Sequence, residues 1–262
     1  MSYQIIHGDN VEVLRGIADG SIHLVVTSPP YDNLRSYGGH SWDFESLASE
    51  LFRVLVDGGV LCWNVNDAVV DGSETLTSFR QAIHFKNACG FRVHDTMIWH
   101  KPNFSNPEQV RYHQVMEYVF VLSKGAPRCF NPIKDKPNKY PEGPWGKNTF
   151  RLKNGEMAER ACNPATAFGM RGNVWTGNTA GQERPEDAKE HPAMMPHWLA
   201  RDLIRSWSNT GDRVLDPFLG SGTTLEMAIE TAREGVGIEI DSDYCHTAEA
   251  RCRARTPGFA FA

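Results

Sequence analysis

VLDPFLGSGTT, residues 214–224, begins with apolar residues suited to a buried strand, breaks at a proline, and ends in two glycines and two threonines. Pro217 lacks the amide that a sheet ladder needs, so the chain must leave the strand there. Gly220 and Gly222, without side chains, let a ligand approach the main chain. Ser221, Thr223 and Thr224 offer hydroxyls, or cap the helix that GSGTTLEMAIETARE (220–234) begins. A strand, a glycine turn and free amides at a helix N-terminus make a cofactor loop; a bare G-x-G would serve equally as an ordinary tight turn. The next strand, GVGIEID (235–241), carries Glu239 near its end, at roughly the 20-residue spacing of an acidic group that binds ribose hydroxyls.

Working outward, apolar runs alternate with helical patterns. YQIIHGD (3–9), IHLVVTS (22–28), VLCWNVN (60–66), FRVHDTMIWHKPN (91–103) and MEYVFVLSKG (116–125) read as strands. VEVLRGIADG (11–20), FESLASELFRVLVDGG (44–59), SETLTSFRQAIHFKNACG (73–90), HPAMMPHWLARDLIRSWSNTGDR (191–213) and DYCHTAEARCRAR (243–255) carry helices, several with glycine stops. The alternation predicts an α/β fold: a mainly parallel sheet with helices on both faces. Between about 125 and 190 the apolar period fails and Pro and Gly crowd the chain, which predicts an irregular insertion into one fold.

Composition excludes several classes. Hydrophobic residues make up 40% and charged ones 23%, and no apolar run approaches the roughly 18 residues of a membrane span. MSYQIIHGDN has neither a basic start nor a long apolar stretch, so a cytoplasmic location is expected and no membrane partner. The six cysteines form no Cys-x-x-Cys and no zinc-ligand cluster, and the His113/Glu117 pair reads as structural, so no metal is expected. Net charge is −5, with 27 Lys+Arg against 32 Asp+Glu, yet residues 124–160 alone hold 9 against 4. A solvated loop has that character too. Interleaved Tyr140, Trp145 and Phe150 add the alternative of a nucleic-acid surface.

A second strand also ends abruptly, at VVTSPPYDNL (25–34), where two prolines follow the apolar run. The carboxyl end of a parallel strand is where such sheets bind ligands. TSPPY (27–31) together with DPFLGSGTT (216–224) resembles the signature of the S-adenosylmethionine-dependent DNA methyltransferases that modify exocyclic amines. The motif order, PPY before the cofactor loop, is similar to that of the circularly permuted beta group.

Much follows from that resemblance as expectation. Residues 1–124 would form the catalytic half, 125–190 a target-recognition insertion, and 191–262 the cofactor-binding half of a Rossmann-like fold. The strand YQIIHGD would lie beside GVGIEID. S-adenosyl-L-methionine would be held by Asp9, Asp216, Pro217, Phe218, Gly220, Ser221, Gly222, Thr223, Thr224 and Glu239, with His191, beside Pro192, packing against it. Ser28 Oγ and the Pro29 carbonyl would accept hydrogens from an amine whose lone pair is otherwise delocalised into the ring. Pro30 would stiffen the backbone, and Tyr31 would stack on a base drawn out of double-stranded DNA. Trp99 and Lys101 resemble a further motif near that base, though a core tryptophan fits the same place.

No Pro-Cys occurs, so methylation at cytosine C5 is disfavoured. Ser28 stands where cytosine-N4 enzymes of the family usually carry serine and adenine-N6 enzymes aspartate, which favours cytosine N4 with adenine N6 as the alternative. RNA or protein amides, and a DNA-binding relative without turnover, complete the readings. A homodimer and a cognate restriction endonuclease are further partners the resemblance implies.

Overall fold

The computed structural model describes residues 2–30, 42–103, 107, 109–139, 147–161, 166–180 and 194–256. They divide into two units, Met1–Asn131 with Asn173–Ala262, and Pro132–Gly172.

The larger unit is built on an eight-stranded sheet. Its strands are β1 (Tyr3–His7), β2 (Ile22–Thr27), β3 (Leu55–Val65), β4 (Arg92–His100), β5 (Met116–Ser123), β6 (Val174–Thr176), β7 (Arg213–Asp216) and β8 (Glu234–Glu239), in the order β1-β8-β7-β2-β3-β5-β4-β6. β5 runs antiparallel to both its neighbours, and the other pairings are parallel. β1 lies beside β8 in parallel register, from Tyr3 opposite Gly235 to His7 opposite Glu239.

Helices α1 (Asn10–Arg15), α2 (Phe44–Val54) and α3 (Thr77–Asn87) bury one face against Val25, Leu61, Trp63, Leu215 and Ile238. Trp63 is the centre of an aromatic group with Phe44, Phe85 and Phe218, and its indole donates to Gln81 Oε1 at 2.9 Å. Helices α4 (His197–Trp207), α5 (Thr223–Glu230) and α6 (Ser242–Arg255) follow in the C-terminal part. Leu225, Ile229, Ala248 and Cys252 from α5 and α6 form a second cluster with Tyr3 and Ile5 of β1. No helix among the described residues is long and apolar enough to cross a membrane.

Three boundaries differ from the expectation. The helix over 44–59 stops at Val54, because Leu55 takes extended angles and pairs with Ile22, extending the strand by five residues. Gly58, with φ of 76°, then turns the chain so that its amide reaches the Lys124 carbonyl at 2.6 Å. The helix over 73–90 starts only at Thr77. Asp71 and Gly72, both with positive φ, close a tight hairpin that pairs Val69–Val70 with Ser73–Glu74. Buried Asp67 caps the helix that follows, accepting from the Ser78 amide at 2.8 Å and hydroxyl at 2.6 Å. The helix over 191–213 covers His197–Trp207, with Pro196 at its N-cap.

The smaller unit contains a hairpin of Lys147–Arg151 with Met157–Ala161, and a two-residue pairing of Lys136–Pro137 with Phe168–Gly169. Asn154 Oδ1 accepts from the Glu156 amide in the hairpin turn, and Arg171 pairs with Asp135.

Candidate active site

β2 and β7 lie side by side and both end at the same sheet edge. β2 finishes at Thr27, and Ser28, buried Pro29 and Pro30 carry the chain away from it. β7 finishes at Asp216, and Pro217 to Gly222 turn into α5. The two exits are joined by one buried bond, Thr27 Oγ1 donating to Asp216 Oδ1 at 2.7 Å. The same oxygen accepts from the Phe218 amide at 3.0 Å, so Asp216 sets the entry of the glycine loop. Burial pushes the Asp216 carboxyl up to about 6, with the Thr27 and Thr224 hydroxyls and the Phe218 amide opposing that rise.

Glu239 holds the loop from the next strand. Its Oε2 accepts from the Gly220 amide at 2.7 Å and its Oε1 from the Asp241 amide at 2.9 Å. Burial raises this carboxyl as well. Each carboxylate oxygen keeps a lone pair, so the same group has room to accept hydroxyls. Gly222 takes φ of 94° at the N-cap of α5, which leaves the first amides of the helix to other partners.

Polar atoms buried around this loop without a partner among the described residues include Thr223 Oγ1 and Asn10 Oδ1. Asn10 Nδ2 lies 3.4 Å from the Pro217 carbonyl, which places that side chain against the loop. Orphaned polar atoms beside a left-handed glycine and free helix amides suit a ligand with several hydrogen-bonding groups.

Asp9, expected at the cofactor, is seen here as a helix cap. Its Oδ1 caps α1, accepting from the Val11 and Glu12 amides at 2.9 and 3.0 Å. Trp99 is buried in β4, donates to the Gly177 carbonyl at 3.0 Å, and packs edge-on to Trp198. Lys101 pairs with Glu117 at 2.9 Å. Tyr31, His191 and Pro192 lie outside the described residues. Among the described residues no group of three His, Cys, Asp or Glu side chains is placed to hold a metal ion.

Arg251 had no role in the sequence reading. It sits in α6, buried, donating from Nη1 to the Ser221 carbonyl at 2.5 Å and hydroxyl at 2.9 Å, with Nη2 paired to Glu226. Burial would raise the Glu226 carboxyl, but His197 at 3.0 Å and the Arg251 and Arg255 charges outweigh it and hold the group below its usual range. ARCRAR looks like a solvated helix face in sequence. Nothing local distinguishes the one arginine that turns inward.

Gly222 allows a direct test. A Cβ there would stand 2.8 Å from the Ala248 Cβ, in a left-handed conformation. Gly222→Ala is expected to destabilise the fold by about 2–4 kcal/mol through strain and overpacking, lowering the thermal midpoint and weakening cofactor binding together.

Residues 22–250 match the DNA methylase family N6_N4_Mtase, and the chain belongs to it. It is an S-adenosylmethionine-dependent DNA amino-methyltransferase of the cytosine-N4/adenine-N6 class. Among relatives, it is 46% identical over 241 residues to the orphan methyltransferase M.BamHII of Bacillus amyloliquefaciens, covering 90% of this chain and 91% of that one. It is 29% identical over 297 residues to the Type II methyltransferase M.SmaI of Serratia marcescens, covering 97% and 92%. A protein of Thermus thermophilus assigned as a DNA modification methylase, solved in complex with S-adenosyl-L-methionine, superposes with a TM-score of 0.64 at 27% identity, covering 99% and 98%. The PvuII DNA methyltransferase shares the fold, with a TM-score of 0.70 at 20% identity, covering 96% and 86%.

Proposed function

We propose that this enzyme methylates the N4 amine of cytosine within a specific sequence of double-stranded DNA. The observation that carries the reading is the Thr27–Asp216 bond, which fixes the Ser28–Pro29–Pro30 exit against the glycine loop. In this reading S-adenosyl-L-methionine supplies an electrophilic methyl group on a sulfonium. Asp216, Pro217, Phe218, Gly220, Ser221, Gly222, Thr223, Thr224 and Glu239 hold it, with Asp9 and His191 assigned to its periphery. Ser28 Oγ and the Pro29 carbonyl accept the hydrogens of the amine, turning its lone pair out of the ring plane. The paired prolines supply a carbonyl already aimed, so little reorganisation is needed when the base arrives. Tyr31 stacks on the extruded base.

The parallel pairing of β1 with β8 supports the permuted order of the beta group, in which 1–124 and 191–262 complete one fold and 125–190 recognises the target. The excess of basic residues in 124–160 supports DNA contact by that insertion. The names of the Type II relatives support a prokaryotic restriction-modification setting; a cytoplasmic location, a cognate endonuclease and a homodimer are proposed with it on the family resemblance alone.

Nucleosides from plasmid DNA treated with the enzyme and cofactor should contain N4-methylcytosine by mass spectrometry. N6-methyladenine in its place would move the assignment to adenine. Methyl transfer to RNA or protein with none to DNA would overturn it.

A further inference from the structure

One side chain from outside the glycine loop holds both oxygens of Ser221. Arg251, in α6, is 6% exposed, and its Nη1 donates to the Ser221 carbonyl at 2.5 Å and to Ser221 Oγ at 2.9 Å. Those two bonds use both hydrogens of that nitrogen. Their direction is forced, because a guanidinium has no lone pair to offer a hydroxyl. Ser221 Oγ therefore accepts here, and its own hydrogen must go elsewhere. Ser221 is buried, yet its hydroxyl donates to no acceptor among the described residues.

A buried ion pair explains only part of this arrangement. Arg251 Nη2 pairs with Glu226, which ties α6 to α5. Glu226 has other partners, His197 Nε2 at 3.0 Å and Arg255 Nε at 3.4 Å. Neutralising that carboxylate does not require a guanidinium that also grips the loop and leaves its Nε buried and unmatched among the described residues. The rest of the loop shows which acceptor the Ser221 hydrogen suits. Asp216 holds the Phe218 amide and Glu239 the Gly220 amide, so two carboxylates secure the first half of the loop, ahead of Ser221. Groups of that kind suit the hydroxyls and positive charges of S-adenosyl-L-methionine, and they repel its one anionic group, the α-carboxylate. A hydroxyl with its hydrogen uncommitted, two residues before the buried and unpartnered Thr223 Oγ1, suits that carboxylate instead.

We propose that Arg251 is a positioning residue for cofactor binding, holding Ser221 Oγ as an acceptor so that the hydroxyl hydrogen is presented to the α-carboxylate of S-adenosyl-L-methionine. Without the guanidinium the hydroxyl rotates freely, and its orientation must be fixed at the moment of binding. Arg251 touches neither cofactor nor base in this role, and no covalent bond forms or breaks. The inference rests on the assignment of Ser221 to the cofactor site.

Equilibrium dialysis tests it with two ligands that differ only in that carboxylate, S-adenosyl-L-methionine and its decarboxylated analogue. The parent should bind the full cofactor about 10-fold or more tightly than the analogue, the value of a hydrogen bond to a charged group. Arg251→Ala should weaken the full cofactor by roughly 10-fold and leave the analogue within about twofold, and Ser221→Ala should do the same. Combined, the two changes should cost no more than either alone, because one acts through the other. Equal weakening of both ligands in Arg251→Ala would mean that the side chain only braces the loop, and would overturn the proposal. Unchanged binding of both in that variant, losses that multiply in the double variant, or a parent indifferent to the carboxylate would overturn it too. Unchanged binding of both ligands in Ser221→Ala would instead remove Ser221 from the cofactor site. Should Arg251→Ala unfold, Arg251→Met combined with Glu226→Gln removes both charges of the buried pair and carries the same expectation and the same overturning results.

Discussion

Replacing Asp216 with alanine is expected to weaken S-adenosylmethionine binding by at least about 100-fold, close to abolition at ordinary cofactor concentrations. Thr27 Oγ1 and the Phe218 amide both lose their acceptor, and Thr27 is fully buried, so no water replaces it. Each orphaned donor costs about 1–3 kcal/mol. The loop relaxes to recover it, and the bond between the two strand exits is gone. Isothermal titration gives the affinity, and thermal unfolding separates loss of the site from loss of the fold.

Asparagine at the same position should behave differently. The Asp216 carboxyl is raised from 3.8 to about 6, so the folded state holds its proton more tightly than the unfolded chain does. Stability through this group therefore falls as pH rises from about 4 to 6, and keeping the group ionised at neutral pH costs about 3 kcal/mol. Asp216→Asn keeps an acceptor for Thr27 and Phe218 without that charge. It should melt no lower than the parent at pH 7.5 and yet bind the cationic cofactor at least about tenfold more weakly. In the parent, affinity should rise with pH through about 6, since a bound cation favours the ionised carboxylate. A pH-independent affinity between 5 and 8 would remove Asp216 from this role.

Ser28→Ala is the second large effect, and it should fall on the chemical step alone. Loss of one preorganised acceptor is expected to lower kcat by about 100-fold, as removal of a single oxyanion-hole donor does elsewhere. The glycine loop is held by Asp216, Glu239 and Arg251, none of which acts through Ser28 in these contacts, so cofactor affinity should stay within about twofold. Single-turnover methylation with saturating DNA isolates the step. An unchanged rate would place the amine elsewhere along the sheet edge.

The parts of this site that could be read from sequence are those where a residue type is forced by backbone geometry. Prolines at 29, 30 and 217 and glycines at 220 and 222 announce strand exits and turns wherever they stand, so both loops were legible. Asp71-Gly72 carried an equally plain hairpin signal, but the helical period of 73–90 masked it. The end of α2 was hidden for another reason: only the tertiary offer of Ile22 as a partner tells Leu55 to leave the helix. Side-chain pairings between distant segments left no local trace. Thr27 and Asp216 lie 189 residues apart, and Arg251 and Ser221 belong to different elements. Asp9 shows the converse difficulty, since an aspartate preceding a helix suits both a cap and a ligand contact, and the cap is the use the geometry displays.

The seam between β1 and β8 also dictates when the fold can be finished. Tyr3–His7 leaves the ribosome long before its pairing partner Glu234–Glu239. At about 5–20 residues per second, tens of seconds separate them. Throughout that interval the apolar side chains of Ile5 and Ile6 have no sheet to join, and neither does the strand's backbone. Until that partner emerges, the strand edge stays unpaired. Its closure joins two segments translated tens of seconds apart.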